Sequence, residues 1–247
     1  MKKLEGKVAI ITGGVSGIGA ATARLFAEEG AKLVLVDINE EKGQAFVEEL
    51  NEAGHSEVLF VKADVANEAD VKNIFDQTKE KFGSLDILFN NAGIGEVQPS
   101  HEVTFERFQQ IVSIDLNAVF ALSQIAIRDF FLEQGAGVIV NTASMYGWVG
   151  AAGSAAYNAA KGGVINLTRS LGVEYGEQNI RVNALCPGYI DTPIIPEDYK
   201  QVLKDTMPMK RLGTSEEMAK AVLFLASEDS SYMTGASITI DGGFTAQ

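Results

Sequence analysis

The chain has 247 residues, 46% of them apolar, enough to bury the core of one domain, and no linker-like stretch or internal repeat divides it. A formal charge of −13 repels phosphate backbones and anionic lipid, which argues against nucleic acid or a membrane surface as partner. One cysteine excludes an internal disulfide, and two histidines outside any recognisable motif argue against catalytic zinc and against a cysteine nucleophile.

At the start, Met1-Lys2-Lys3 ahead of Val8–Ile11 has the order of a signal peptide, but the apolar run is too short and breaks at Gly13-Gly14. No stretch approaches ~18 uninterrupted apolar residues, so no membrane span is expected and the location is expected to be cytoplasmic. Lys7–Thr12 reads as a buried parallel strand ending in glycines. Gly17 to Glu29 carries apolar residues at Ile18, Ala21, Ala23, Leu25 and Phe26, a helical pattern. Strand, glycine turn and helix is the context of a dinucleotide site, in which glycines admit the pyrophosphate to the backbone and the helix N-terminus offers free N–H groups. The spacing here, Gly13-x-x-x-Gly17-x-Gly19, differs from G-x-G-x-x-G.

Lys32–Val36 is the second strand, and Asp37 ends it eighteen residues after Gly19, where a carboxylate accepts from ribose hydroxyls and repels a 2′-phosphate. Glu57–Ala63 is the third strand, Asn67–Phe82 a helix and Leu85–Phe89 the fourth strand. Thr104 to about Glu133 reads as one long helix, stopped by Gly135-Ala136-Gly137 before strand Val138–Thr142. Ser154–Gly176 is a second long helix, Ile180–Leu185 the sixth strand, Ser215–Ala226 a helix and Ser237–Ile240 the seventh strand. The pattern predicts an α/β fold: a doubly wound, Rossmann-type, seven-stranded parallel sheet with helices on both faces, in a single domain spanning residues 1–247.

Chemistry concentrates on the second long helix. Tyr157 and Lys161 stand four apart, so they share a face with Cβ atoms about 5–6 Å apart. A free tyrosine titrates near ~10 and is a poor base at neutral pH. A fixed ammonium favours the phenolate, and bringing a tyrosine from there to neutrality takes about 4 kcal/mol of differential interaction. Ser144, thirteen residues upstream of Tyr157, is placed to give a substrate oxygen a second hydrogen bond.

Thr12-Gly13-Gly14-Val15-Ser16-Gly17-Ile18-Gly19, Asn90-Asn91-Ala92-Gly93, Ser144, Tyr157-x-x-x-Lys161 and Pro187-Gly188 occur in one order along the chain. In that order and spacing the sequence resembles the short-chain dehydrogenase/reductase family, from Leu4 to Gln247. The resemblance implies an enzyme interconverting a small secondary alcohol and a ketone by hydride transfer, with Ser144, Tyr157 and Lys161 catalytic. It implies that Gly13, Ser16, Gly17, Ile18 and Gly19 hold the cofactor's phosphates, Asp37 its ribose, and Asp64 and Val65 its adenine. Asn91, Gly93, Tyr157, Lys161, Ile190 and Thr192 would lie along the nicotinamide half. NADP users in the family carry a basic residue where Ser16 or Ile38 stands here, so the cofactor is expected to be NAD. The family further implies a homotetramer built through the two long helices, and a substrate lid over about 189–212 with Ile194, Ile195 and Met207 as apolar anchors. Its shortness suits a small substrate.

The tail Asp241-Gly-Gly-Phe-Thr-Ala-Gln247 is similar to that of bacterial (R)-specific secondary alcohol dehydrogenases, some of which use the terminal carboxylate in a structural Mg²⁺ site. No metal is expected in the active site itself. A rival reading, a 3-oxoacyl-[acyl-carrier-protein] reductase, expects basic docking residues, whereas this chain has Leu132-Glu133-Gln134-Gly135 and Val173 in the matching places. A non-enzymatic NAD-binding regulator on the same fold would have lost Tyr or Lys of the active pair, and both are present. One departure stands out: most members place an asparagine twenty-nine residues before the serine, and this chain has Asp115. There, either a backbone carbonyl serves a water relay regardless of Asp115, or the carboxylate stabilises the Lys161 ammonium, or Asp115 merely faces polar surroundings.

Overall fold

A strand covered by helices on both faces must be apolar at successive positions, and Val8–Thr12 (β1) is buried at all five. The computed structural model describes residues 2–55, 57–95, 97–192 and 195–247. Among them, β1 is followed by strands Lys32–Asp37 (β2), Val58–Lys62 (β3), Ile87–Asn90 (β4), Gly137–Thr142 (β5), Ile180–Pro187 (β6) and Ser237–Ile240 (β7). The helices are Gly17–Glu28 (α1), Glu40–Glu52 (α2), Glu68–Phe82 (α3), Phe105–Gln134 (α4), Ala155–Glu174 (α5), Glu197–Thr206 (α6) and Ser215–Ala226 (α7). The strands form one sheet in the order β3-β2-β1-β4-β5-β6-β7, parallel at every pairing.

Alternate residues of each strand feed two cores. Val8, Ile10, Val34, Val36, Leu88 and Ile139 face α3 and α4, where Ile74, Phe75, Leu122 and Phe131 meet them. Ala9, Ile11, Leu33, Leu35, Phe89 and Val140 face the other way, onto Phe26 of α1, Leu50 of α2 and Val222 of α7. Full burial of one such side chain stabilises by about 1.5–3 kcal/mol, and truncating fully buried Phe26 or Phe131 to alanine would cost about 3–5 kcal/mol.

Caps set several helix starts. Asn67 accepts from the Ala69 and Asp70 amides at the head of α3, and Gly83, at φ 73°, ends that helix. Thr214 and Glu217 form a reciprocal capping box at the start of α7. Helix α2 has no counterpart among the elements expected from the sequence, although Asn39 caps it and Phe46 and Leu50 form its buried stripe.

Helix α4 is continuous as expected, but two π turns interrupt it, Ser113–Asn117 and Ile127–Phe131. By length and mean hydropathy alone α4 is long and apolar enough to cross a membrane. Glu106, Arg107, Asp115, Arg128 and Asp129 interrupt it, however, so no uninterrupted apolar run of the length a span needs occurs in it. Its apolar face, with Ile111, Ala118, Leu122, Ala126 and Phe131, instead packs within the protein. The order reverses between β1 and β4, so the carboxyl ends of these strands open a crevice at the switch point, where ligands of such sheets bind.

Candidate active site

The crevice floor is the turn after β1. Gly13 and Gly17 adopt φ of 60° and 51°, a backbone state that side chains disfavour. A Cβ on Gly19 would lie 2.1 Å from the Gly13 carbonyl oxygen, so the turn closes only without one. Thr12, at the end of β1, accepts from the Asn91 and Ala92 amides at 2.9 and 3.0 Å, and the Asn91 side chain donates to the Thr12 and Gly13 carbonyls. Asn91 thus ties the end of β4 to the glycine turn.

This arrangement fits a dinucleotide. Ser16 caps α1 without a side-chain bond and no acidic residue occupies the first turn, so the positive end of α1 faces the crevice unopposed. Ile18 is half-buried beside Gly19 on that turn. A Cβ on Gly17 would sit 3.4 Å from the Thr192 methyl, which brings the loop after β6 over the turn. Asp37 ends β2 half-buried, with one carboxylate oxygen accepting from the Asn39 amide at 3.0 Å. Asp64, exposed after β3, accepts from the Ala66 amide at 2.9 Å, and Val65 beside it is buried. Ile190 is buried and bridges to Gly213.

The catalytic candidates converge beyond the ends of β4, β5 and β6. Ser144 follows β5, is 5% exposed, and accepts from the Tyr146 amide at 3.1 Å. With that acceptor position filled, its O–H remains to donate. Tyr157 and Lys161 lie on the first turns of α5, and the Lys161 Nζ stands 5.6 Å from the Tyr157 ring centre. Lys161 is 3% exposed and donates to the Thr142 carbonyl at 2.9 Å.

Asp115 completes the group. It sits fully buried in the first π turn of α4, an irregularity often found where a helix serves a site. One carboxylate oxygen accepts from the Ile94 amide at 2.9 Å, and the other stands 3.1 Å from the Lys161 Nζ as an ion pair. Of the readings left open at this position, the geometry bears on one: the carboxylate itself meets the lysine. Gly93 makes room for the pair, since a Cβ there would lie 2.8 Å from the Asp115 oxygen and 3.4 Å from the Lys161 Nζ. Burial by itself pulls the Lys161 ammonium down, but Asp115, with help from Tyr157 and Cys186, outweighs burial and leaves its pKa raised.

A buried polar ladder stiffens the floor beneath. Asn90 donates to Ser123 and Asn141, and Asn141 donates to Thr168 on α5. Cys186 on β6 is fully buried, and burial pushes its thiol up to about 11, as an inert core thiol requires. Within the lid, α6 packs no buried residue, Met207 is buried and Ile195 half-buried, while Pro193 and Ile194 lie outside the described residues. Among the described residues no three His, Cys, Asp or Glu cluster as metal ligands. Gln247 donates its side-chain amide to the Thr206 carbonyl. Val173 on α5, where a carrier-docking arginine would stand, is 84% exposed.

The chain compares well with known proteins over its full length. A family model described as enoyl-(acyl carrier protein) reductase matches residues 13–245. The cis-4-hydroxycyclohexanecarboxylate dehydrogenase of Sinomonas cyclohexanicum is 44% identical over 244 residues, 97% of each chain. A cyclohexanol dehydrogenase of Acinetobacter sp. (strain SE19) is 40% identical over 99% of this chain and 97% of its own. The crystal structure of a short-chain type dehydrogenase/reductase from Mycobacterium marinum superposes with a TM-score of 0.95 at 36% identity, covering 99% of this chain and 98% of that one.

Proposed function

This chain belongs to the short-chain dehydrogenase/reductase family, and we propose that it is an NAD-dependent dehydrogenase of ring-bearing secondary alcohols with Tyr157 as its acid/base. It is an oxidoreductase that interconverts a secondary alcohol and the corresponding ketone. The observation that carries the mechanism is the buried Lys161 ammonium, fixed by Thr142 and Asp115 on the same helix face as Tyr157. The relatives named for cyclohexanol and for a hydroxycyclohexanecarboxylate support a ring in the substrate.

The dinucleotide, when bound, supplies the hydride acceptor for alcohol oxidation or the donor for ketone reduction. The Gly13–Gly19 turn would hold its phosphates, Asp37 its ribose hydroxyls, and Asp64 and Val65 its adenine. Asn91, Gly93, Ile190 and Thr192 would border the nicotinamide half. In oxidation, Tyr157 as phenolate takes the hydroxyl proton; in reduction it returns one to the same oxygen. Ser144 donates to that oxygen and fixes its direction, so the reacting groups meet already oriented. Lys161 favours the phenolate by its charge.

Asp37 supports NAD over NADP, because a second phosphate on the ribose would meet a carboxylate. Phe105, Phe120 and Leu132 along α4 are 69%, 47% and 46% exposed, an apolar row that supports assembly into the homotetramer. A cytoplasmic location completes the reading, and the tail Asp241–Gln247 supports kinship with the (R)-specific secondary alcohol dehydrogenases. The test is the rate of nicotinamide reduction with cyclohexanol. The expected kcat/KM with NAD⁺ is at least about tenfold that with NADP⁺. No reduction of either nucleotide across a panel of ring and open-chain secondary alcohols would overturn the proposal.

A further inference from the structure

Three aromatic rings from distant parts of the chain meet beside Ser144. Tyr146 lies in the 3₁₀ turn two residues after it, Tyr189 in the loop after β6, and Phe244 in the C-terminal turn Phe244–Ala246. Their centroids are 6.0, 6.1 and 5.9 Å apart with interplanar angles of 76°, 85° and 76°, each pair edge to face. We propose that these three rings form the substrate-side wall of the site, and that Phe244 sets a preference for an apolar ring alcohol over an open-chain alcohol of equal carbon count. The inference rests on the function proposed above.

Position is the first support. Tyr146 shares its turn with Ser144 and lies within electrostatic reach of Tyr157, so the wall borders the reacting oxygen. The second is its surface chemistry. The Tyr146 and Tyr189 hydroxyls are hydrogen-bonded to each other, so the polar atoms of the wall are turned onto one another. Burial, then the Tyr189 hydroxyl, raises the Tyr146 pKa, so this second tyrosine stays a neutral ring and does not compete with Tyr157 as base.

The third support is how firmly Phe244 is held. Asp241, 9% exposed, accepts from the Gly243 amide at 3.0 Å and from the Thr245 amide and hydroxyl at 2.8 and 2.6 Å. These bonds close the turn that presents Phe244. A Cβ on Gly188 would stand 2.6 Å from the Asp241 Cα, so the loop bearing Tyr189 and the C-terminal segment pack backbone to backbone. From the other side, the Met207 methyl comes within 3.2 Å of where a Gly242 Cβ would be, which places the lid turn against the same segment. All three rings keep partial exposure, so each offers a face to a ligand. A preformed aromatic wall favours a rigid ring, which loses little internal freedom on binding, over a chain that must be ordered.

The test compares cyclohexanol with 2-hexanol, both with NAD⁺, in wild type, Phe244→Ala and Phe244→Leu. The ratio of kcat/KM for the ring over the chain is expected to fall about tenfold or more in Phe244→Ala, through KM. Phe244→Leu keeps apolar bulk without the ring and is expected to lose about threefold in the same ratio. If Phe244→Ala does not fold, judged by NADH binding, Phe244→Leu decides. A ratio unchanged in the folded variant overturns the wall while the proposed function stands. If wild type oxidises neither alcohol with either nucleotide, the proposed function falls, and this inference with it.

Discussion

Replacing Asp115 by asparagine removes one buried negative charge and keeps the shape of the side chain. In the protein, one carboxylate oxygen meets the Ile94 amide at 2.9 Å and the other meets the Lys161 Nζ at 3.1 Å. Both neighbours are donors, so an amide satisfies one and turns its own NH₂ toward the other. At an effective dielectric of about 20, charges 3.1 Å apart attract by about 5 kcal/mol before desolvation is counted. The same arithmetic gives about 3 kcal/mol between an ammonium and a phenolate ring 5.6 Å away. Asp115, of the opposite charge to Lys161, offsets part of that attraction, so removing its charge strengthens the net pull of Lys161 on the phenolate.

The acid limb of the kcat/KM profile for alcohol oxidation is therefore expected to move down in pH. The other titratable groups acting on Lys161 are Tyr157 on its own helix and Cys186 on β6, and neither changes in the variant. With Asp115 neutralised, Lys161 loses the largest influence holding its proton, so the alkaline limb should also move down. Initial rates from about pH 6 upward measure the acid limb directly, and the alkaline limb is read as the fall in rate that begins at lower pH in the variant than in wild type. An acid limb that stays in place or moves up would refute the electrostatic role. Loss of activity at every pH would mean that the carboxylate itself is required.

Three further outcomes are expected. Asp115→Ala leaves a buried ammonium without its partner, which costs about 3–5 kcal/mol and lowers Tm by about 10 °C. Lys161 has a pKa raised above 10.5 in the folded protein, so the pair's stabilisation is present below that pH and lost as pH rises through the folded value. The thermal deficit of Asp115→Ala should accordingly shrink toward strongly alkaline pH, and a deficit constant with pH would count against the pair. Gly93→Ala pushes a methyl to 2.8 Å from the Asp115 oxygen, and kcat/KM is expected to fall about a hundredfold, checked by steady-state rates. Asp37→Arg should raise the NADP⁺ over NAD⁺ ratio of kcat/KM about a hundredfold, and an unchanged ratio would remove Asp37 from the ribose site.

Much of the fold is legible in the sequence because buried parallel strands are short apolar runs between turn residues. The seventh strand Ser237–Ile240 and helix Ser215–Ala226 match the sequence expectation at both ends. Helix α2 is not legible, because between Asn39 and Ala53 most residues are charged or polar and the buried stripe is thin. The π turns of α4 carry no local signal, since the helical apolar pattern runs through them. Ser144, Tyr157 and Lys161 are legible through the ordered set of motifs that carries the family resemblance, whereas the partner of Asp115 depends on how α4 crosses α5. The Tyr146, Tyr189 and Phe244 cluster lies beyond sequence reading altogether, because nothing local links three rings so far apart in the chain.

The proton-transfer role of Tyr157 is tested most directly by Tyr157→Phe, which removes one oxygen and keeps the ring on α5. Two measurements on one preparation are needed: NADH affinity by fluorescence titration, and turnover of cyclohexanol with NAD⁺. The affinity is expected to stay within about threefold of wild type, with kcat reduced about a thousandfold or more, the size of a lost general acid/base. Turnover within tenfold of wild type would show that another group moves the proton, and the assignment of Tyr157 would be wrong.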